Sequence, residues 1–338
     1  RDVAPSRGLG DVYKRQLSRI VTKVMGKNCL ALMQERVFDK MGFGEINWLT
    51  SPEGHNTGGW GMYLTAGKIS ALAQLLLQKG EWNGEQLIPA WWTEEIGKMR
   101  VVIPEDEKKA LTHYAYHIKA GKEIFAAEGA FGQYLICFRD YPVAIGITAG
   151  ASEYLAADIC LKYIKEAVQI PCEKENLEEA QEKLEEKLVH LTLPKPEGDK
   201  KDTNEATKKL LNKRIAFTEN PRQIESAVIS TVGEELKLEL TVAGEKKILF
   251  AEYKDWKCND MYPNDFTKRY HAVSYAFDED ALYLSVGLLN TSYREEYCLW
   301  VNSENVVVGT WRPNVTYLPA EEDMTWKFTG TFEPSCIL

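Results

Sequence analysis

Positive charge is in deficit in this chain of 338 residues: 41 Lys and Arg stand against 50 Asp and Glu, a net charge of −9. That balance argues against nucleic acid or an anionic membrane as the main partner. Long apolar runs are missing as well. None approaches the ~20 residues that span a bilayer, so no transmembrane segment is expected. There is no Gly-x-Ser-x-Gly elbow, phosphate loop or dinucleotide fingerprint, which removes the chemistries those motifs carry. His113 and His117 have helical spacing but sit in a stretch that reads as strand. With no Cys or carboxylate cluster at ligand spacing beside them, neither a metal nor another cofactor is expected. The seven cysteines are odd in number and lack paired spacing. They point to free thiols and a reducing compartment, a slight lean towards the cytoplasm. The first residue is Arg rather than Met. Residues 1–16 share no periodicity with the helical pattern that starts at Leu17 and read as a non-native leader.

What is present is the composition of a soluble globular protein, 44% hydrophobic and 27% charged. The length leaves room for two domains with separate cores. Leu17, Ile20, Val21 and Val24 form one stripe of a helix closed by Gly26. Asn28 can cap a second helix with Leu30, Met33, Val37 and Met41 on its buried side. An irregular Gly-, Pro- and Asn-rich stretch, Asn47–Gly61, comes next. Thr65 then caps a helix to Lys79 with Ile69, Leu72, Ala73 and Leu76 inward. Asn83-Gly84 signals a turn, and Pro89 opens a short helix bearing Trp91 and Trp92.

From Tyr114 the hydrophobic period becomes two. Strands are expected at Tyr114–Lys119 and Lys122–Ala127, then a two-strand unit within Ala126–Ala149 turning at Arg139–Pro142. Its apolar runs fit strands buried on both faces. Helix Ser152–Gln169, with Leu155, Ile159, Tyr163 and Ala167 as its stripe, closes this domain. A charged amphipathic helix (Asn176–Leu191) and a linker (Pro194–Thr207) come after it. Beyond Asn212 about eight short alternating runs, such as Leu236, Leu238, Leu240 and Val242, suggest an antiparallel barrel or sandwich. The expected class is α+β: helices on an antiparallel sheet over 17–170, a charged helix and linker over 171–207, and a β barrel over 208–338.

Three segments carry a family resemblance: Phe38–Phe43 (FDKMGF), Glu53–Pro89, and EGAFGQYLICF from Glu128 with its returning strand. Helix, Gly-Gly-aromatic-Gly loop, Asn-Gly turn and Gly-x-x-Gly-Gln strand entrance occur in the order found in the β-lactamase-related serine hydrolases, which they resemble. That family includes class C β-lactamases, penicillin-binding proteins and related esterases. The resemblance covers Leu17 to about Lys165, roughly the last half of the family's domain. Residues 208–338 are similar to a lipocalin-like module attached to some bacterial members.

The resemblance implies acyl transfer on an ester, amide, peptide or β-lactam-like substrate. The family's nucleophile is the Ser of Ser-x-x-Lys, assisted by that Lys and by the Tyr of Tyr-x-Asn, because a hydroxyl needs a neighbouring base to attack a carbonyl. No Ser-x-x-Lys occurs in the chain, and both motifs would fall upstream of Leu17. Tyr262-Pro263-Asn264 matches the second pattern only in the β part. The family's Lys-Thr-Gly or His-x-Gly falls on Ala127-Glu128-Gly129, with Ala127 in the basic position, which leans away from β-lactam carboxylates. By the resemblance, Gly129 and Ala130 would flank an oxyanion site. Gln133 and Glu128 would border substrate, and Trp60 with Gly59 would form an apolar wall. The same glycines and tryptophan would also serve plain packing. The expected whole is a truncated serine hydrolase, inactive as written. The alternatives are a ligand-binding β module on a remnant domain, or a non-catalytic peptide- or peptidoglycan-binding relative.

Overall fold

In a computed structural model the chain separates into two units, Arg1–Pro171 and Cys172–Leu338. The residues described are 5–104, 109–151, 156–170, 177–199, 203–204, 207–259, 270–316 and 324–333.

The first unit begins with α1 (Pro5–Met25), which ends at Gly26 in a left-handed conformation, φ +68°. Its side towards the body carries buried Ser18, whose Oγ lies 3.3 Å from Cys29 Sγ. The stripe Leu17, Ile20, Val21 and Val24 is exposed. Asn28 caps α2 (Cys29–Met33), its Oδ1 accepting the Ala31 N–H at 2.8 Å. The helix runs on through a π turn (Gln34–Phe38). Two short strands, β1 (Asn47–Trp48) and β2 (Met62–Tyr63), pair across the irregular stretch.

Thr65 caps α3 (Ala66–Leu77), its Oγ1 accepting the Lys68 N–H at 3.3 Å. After it, Asn83 and Gly84, both at positive φ, turn β3 (Glu81–Trp82) into β4 (Glu85–Gln86). Helix α4 (Ala90–Ile96) starts directly after Pro89. The next strands are β5 (Val101–Val102), β6 (His113–Ala115), β7 (Ile118–Ala120), β8 (Ile124–Gly129), β9 (Gln133–Phe138) and β10 (Ala144–Ile147). They form a six-stranded sheet in the order β10-β9-β8-β7-β6-β5, antiparallel throughout.

Alternation along β8 and β9 sorts their side chains to two sides. Ile124, Ala126, Tyr134, Ile136 and Phe138 meet α5 (Ala156–Ala167) through Ala157, Cys160, Leu161 and Ile164. Phe125, Ala127, Leu135 and Cys137 meet α3 and α4 through Ala73, Leu76, Leu77, Trp92 and Ile96. The far side of α3 faces another apolar cluster, in which Leu75 joins Val37, Phe38, Phe43 and Ile46. Helix α3 is therefore covered on two sides, which is why Leu75, outside the predicted stripe, has no exposed surface.

Two expectations are corrected here. Tyr114–Lys119 is not one strand but the β6–β7 hairpin, turned at Tyr116 (φ +47°) and His117 (φ +68°). His113 and His117 thus do not share a strand face. On α5 the predicted stripe is rotated: Ile159 and Tyr163 are exposed, and small Ala157 with Cys160 faces the sheet. Leu161 and Ile164 share that face. Leu155 lies outside the described residues.

The second unit opens with α6 (Leu177–Val189), none of whose residues is buried. Part of the expected linker lies on the barrel. Pro196 is buried, and a Cβ on Gly198 would come within 2.9 Å of the Phe277 carbonyl oxygen. After a 3₁₀ turn (Thr207–Leu210) come β11 (Arg214–Phe217), β12 (Ile224–Val232), β13 (Glu235–Val242), β14 (Glu245–Tyr253), β15 (Lys257–Asn259) and β16 (His271–Asp278). The last four are β17 (Ala281–Leu288), β18 (Arg294–Val301), β19 (Val307–Pro313) and β20 (Trp326–Phe332). Neighbours in sequence pair antiparallel, save β14 and β15; β16 pairs in parallel with β14 through Glu252–Ser274 and Tyr253–Tyr275, and β20 returns to β11. These two joins close a ring of nine strands, with β15 alongside β16. Closure leaves the ring no unpaired edge. Leu236, Leu238, Leu249, Leu282, Leu284, Leu299, Trp311 and Phe328 are among the side chains that form its core.

Gly146 and Cys137 register α3 on the sheet. A Cβ at Gly146 would fall 2.4 Å from Ser70 N and 2.5 Å from Ala66 O, both backbone atoms, and Gly146 N–H donates to Ser70 Oγ at 2.9 Å. Gly146→Ala is expected to cost about 1–3 kcal/mol by overpacking, read from urea unfolding of the first unit. Cys137 Sγ donates to Ala73 O at 3.3 Å, and burial pushes its thiol up to about 12. A folded-state value above the unfolded one gives stability that is complete at neutral pH and is lost as the pH rises from about 9 towards 12. Urea midpoints between pH 8 and 10 should therefore fall more steeply for the natural chain than for Cys137→Ala.

Candidate functional site

The predicted site residues lie on two loops of the first unit. Glu128 and Gly129 end β8; Ala130, Phe131 and Gly132 form the turn, and Gln133 starts β9. Phe131 (φ +62°) and Gly132 (φ +87°) take left-handed backbone, and a Cβ on Gly132 would meet Ala149 Cβ at 3.1 Å. Gln133 braces this turn. Its Nε2 donates to Ala149 O at 2.6 Å, with Ala130 O and Phe131 O at 3.3 and 3.4 Å. The Ala151 N–H adds a bond to Phe131 O. Glu128 is ion-paired with Lys119 across the sheet at 2.7 Å, both largely covered. Ala127, where the family carries a basic residue, faces α3.

Gly59 and Trp60 sit in the other loop, held from behind by residues that sequence patterns did not single out. Asn56 is fully buried; its Oδ1 accepts the Leu30 N–H at 3.0 Å and its Nδ2 donates to Trp48 O at 3.1 Å. Trp60 O accepts from Trp48 Nε1 at 2.9 Å and from Thr57 Oγ1. The Trp60 side chain is 54% exposed. Its backbone is thus fixed while the ring stands at the surface. Asn56 in its glycine-rich loop was the available signal, but Asn in such a loop ordinarily reads as turn chemistry.

A thread of contacts runs from one loop towards the other. Gly58 lies so close to α1 that a Cβ would be 2.5 Å from Lys14 O, and Lys14 Nζ lies 2.8 Å from His117 Nε2 in the β6–β7 turn. Strand β7 then carries Lys119 to Glu128. This thread reaches the Gly129–Gln133 turn without involving the Trp60 ring. A cleft of about 820 Å³, lined by Ser70, Gln74, Arg139, Tyr141 and Ala144, opens at the other end of β9. It contains none of the predicted site residues. Tyr262-Pro263-Asn264 lies outside the described residues, and among those described no group of His, Cys, Asp and Glu could hold a metal ion.

The barrel holds a second polar constellation, on its inner face. Along β18 the inward positions are Glu295, Tyr297, Leu299 and Val301. Glu295 is buried; its Oε1 meets Arg222 Nε at 3.0 Å and its Oε2 accepts the Tyr297 hydroxyl at 2.6 Å. Burial, then the neighbouring Glu295 charge, pushes the Tyr297 phenol well above its ordinary value. Tyr297 stands directly opposite Trp311 on β19, and Trp311 opposite Trp326 on β20, with those indole centroids 4.7 Å apart. The run REEYCLWV puts a charge at an inward position, but only the register across strands reveals it.

No known protein-family description matches the chain, and no curated protein matches it. Solved structures give likenesses. One is the apo form of lipid binding protein 8 (LBP-8) of Caenorhabditis elegans, 7% identical, TM-score 0.29, over 38% of this chain and 98% of that one. Another is a secretory abundant heat soluble (SAHS) protein of Ramazzottius varieornatus, 11% identical, TM-score 0.29, over 40% of this chain and all of that one. The chain is a mixed α/β protein containing a closed, mainly antiparallel barrel, and no helix among its described residues is long and apolar enough to cross a membrane.

The brace at Gln133 has a measurable consequence. Gln133→Ala should speed amide exchange at residues 130–132 by about fivefold to tenfold, the equivalent of a lost hydrogen bond, while β16–β18 exchange is unchanged.

Proposed function

We propose that the first unit serves acyl transfer of the β-lactamase-related serine hydrolase kind, on ester, amide, peptide or β-lactam-like substrates, and that the chain as written does not turn over. The observation that carries this reading is the pairing of a glycine-bounded strand entrance, Gly129–Gln133, with a Gly58–Gly61 loop, both tied in through α1 and the β6–β7 turn. Rigid backbone of this sort suits an oxyanion donor, here the Ala130 N–H, with Trp60 as an apolar wall and Glu128 and Gly59 beside them. A donor and a wall orient a substrate but do not attack it, and no Ser-x-x-Lys is present. Purified chain should hydrolyse neither a p-nitrophenyl ester nor a chromogenic cephalosporin above buffer. It should also stay unlabelled by a fluorophosphonate. Stoichiometric labelling would overturn the reading, because it demands an activated serine.

A second reading is favoured by the closed ring. A barrel whose inner wall carries Tyr297, Trp311, Trp326 and Phe328 suits a small apolar molecule, and the second unit is then a ligand-binding module. A polyene lipid should bind with slowed amide exchange across Ala281–Pro313. Unchanged exchange at saturating probe would count against it.

A further inference from the structure

Exposed aromatic side chains gather at one place on the first unit. On α4, Trp91 is 66% exposed and stands beside Trp92, with ring centroids 5.7 Å apart. Trp92 packs against the core cluster that contains Ile96 and Ile118, and its ring meets Tyr116 of the β6–β7 turn at 5.0 Å. Tyr116 is 53% exposed, with the Arg100 guanidinium 5.5 Å from its ring centroid. Met99 and both residues of β5, Val101 and Val102, are exposed too. Trp, Tyr, Met and Arg are the types that concentrate at the centre of protein interfaces.

Size bounds what this face can do. At these exposures its side chains offer on the order of 400 Å² to a partner. A patch of that area matches the largest on a typical monomer, which is often functional. Two such faces pressed together bury roughly 800 Å², the range of weak and reversible association.

The charges around the face decide the partner. Glu95 is paired with Lys98 at 2.6 Å and with Arg100, and Glu94 with Lys79 at 3.3 Å. Residues 91–102 hold two acids and two bases, so the face is neutral in a chain of net charge −9. A strongly charged partner finds no field here to draw it. A second copy, repelled elsewhere by its net charge, meets no like-charge penalty at this face. A two-fold axis through it sets Trp91 and Tyr116 against the same residues of the other copy, and Glu94, Glu95, Lys98 and Arg100 arrive already paired. The other exposed apolar stripes lack this property. Residues 17–25 of α1 carry Arg19 and Lys23 and no acid, and α6 carries five acids against two bases. We propose that a second copy of the chain docks on this face, forming a reversible two-fold dimer centred on Trp91 and Tyr116.

Sedimentation equilibrium of the full chain tests this. A face of this size is expected to give a dissociation constant of about 10–100 µM. Trp91→Arg sets two cations against each other and should raise that constant about tenfold or more. The position is exposed, and an unchanged urea midpoint will show that the variant is folded. Val24→Arg, on the α1 stripe, should leave the constant within about twofold. Amide exchange compared at about 5 and 500 µM should slow with concentration in residues 91–103 and 113–117 only. A chain still monomeric at about 500 µM would overturn the proposal. So would a dimer unmoved by folded Trp91→Arg, or one abolished by Val24→Arg. The face holds none of the candidate site residues, so either outcome leaves the functional readings as they stand.

Discussion

Strands β8 and β9 have to bury both of their faces, and the first unit is built around meeting that need. Ile124, Ala126, Tyr134, Ile136 and Phe138 leave one face apolar; Phe125, Leu135 and Cys137 leave the other so. A sheet of this kind is stable only between two covering layers. Helix α5 supplies one and α3 with α4 the other. Because α3 meets a further cluster around Phe38 and Phe43 on its far side, its position is determined from two directions. The close backbone approach at Gly146 is the consequence: a helix held that tightly leaves no room for a Cβ on the strand below.

The glycine-bounded turn and the Gly58–Gly61 loop inherit their rigidity from that layered core. Neither is held by hydrophobic burial of its own. Hydrogen bonds to the backbone hold them instead: Asn56 behind one loop, Gln133 inside the other, each satisfying main-chain groups that would otherwise lack partners. Residues with such duties are costly to change whether or not a substrate ever meets them. Gln133, a candidate for substrate contact by resemblance, faces three carbonyls with its amide.

In the second unit the governing constraint is closure. An antiparallel meander has two edges, and here they are removed by different means, β20 returning to β11 and β14 meeting β16 in parallel. Closure gives the unit an inside, and an inside separates polar groups from water. Glu295 and Tyr297 then need partners from the protein, and the β11–β12 loop delivers Arg222. The indole N–H groups of Trp256 and Trp311 have no acceptor among the described residues.

Much of this was legible along the chain, because it depends on neighbours in sequence. Asn28 and Thr65 cap their helices as expected, Asn83-Gly84 turns its hairpin, and the alternation after Asn212 is strand. What was not legible depends on pairing and packing between segments. Tyr116 and His117 adopt left-handed backbone that nothing in their own side chains demands, because β6 and β7 pair with each other. On α5 the face against the sheet carries Ala157, Cys160, Leu161 and Ile164, one step round from the stripe that the sequence pattern suggests. Whether the late strands make a barrel or a sandwich is decided by two strand pairs far apart in the chain. Periodicity over a few residues determines which element forms and which side is apolar. Which apolar sides meet, and which polar atoms find partners, is a property of register between segments, and it exists only once they are packed.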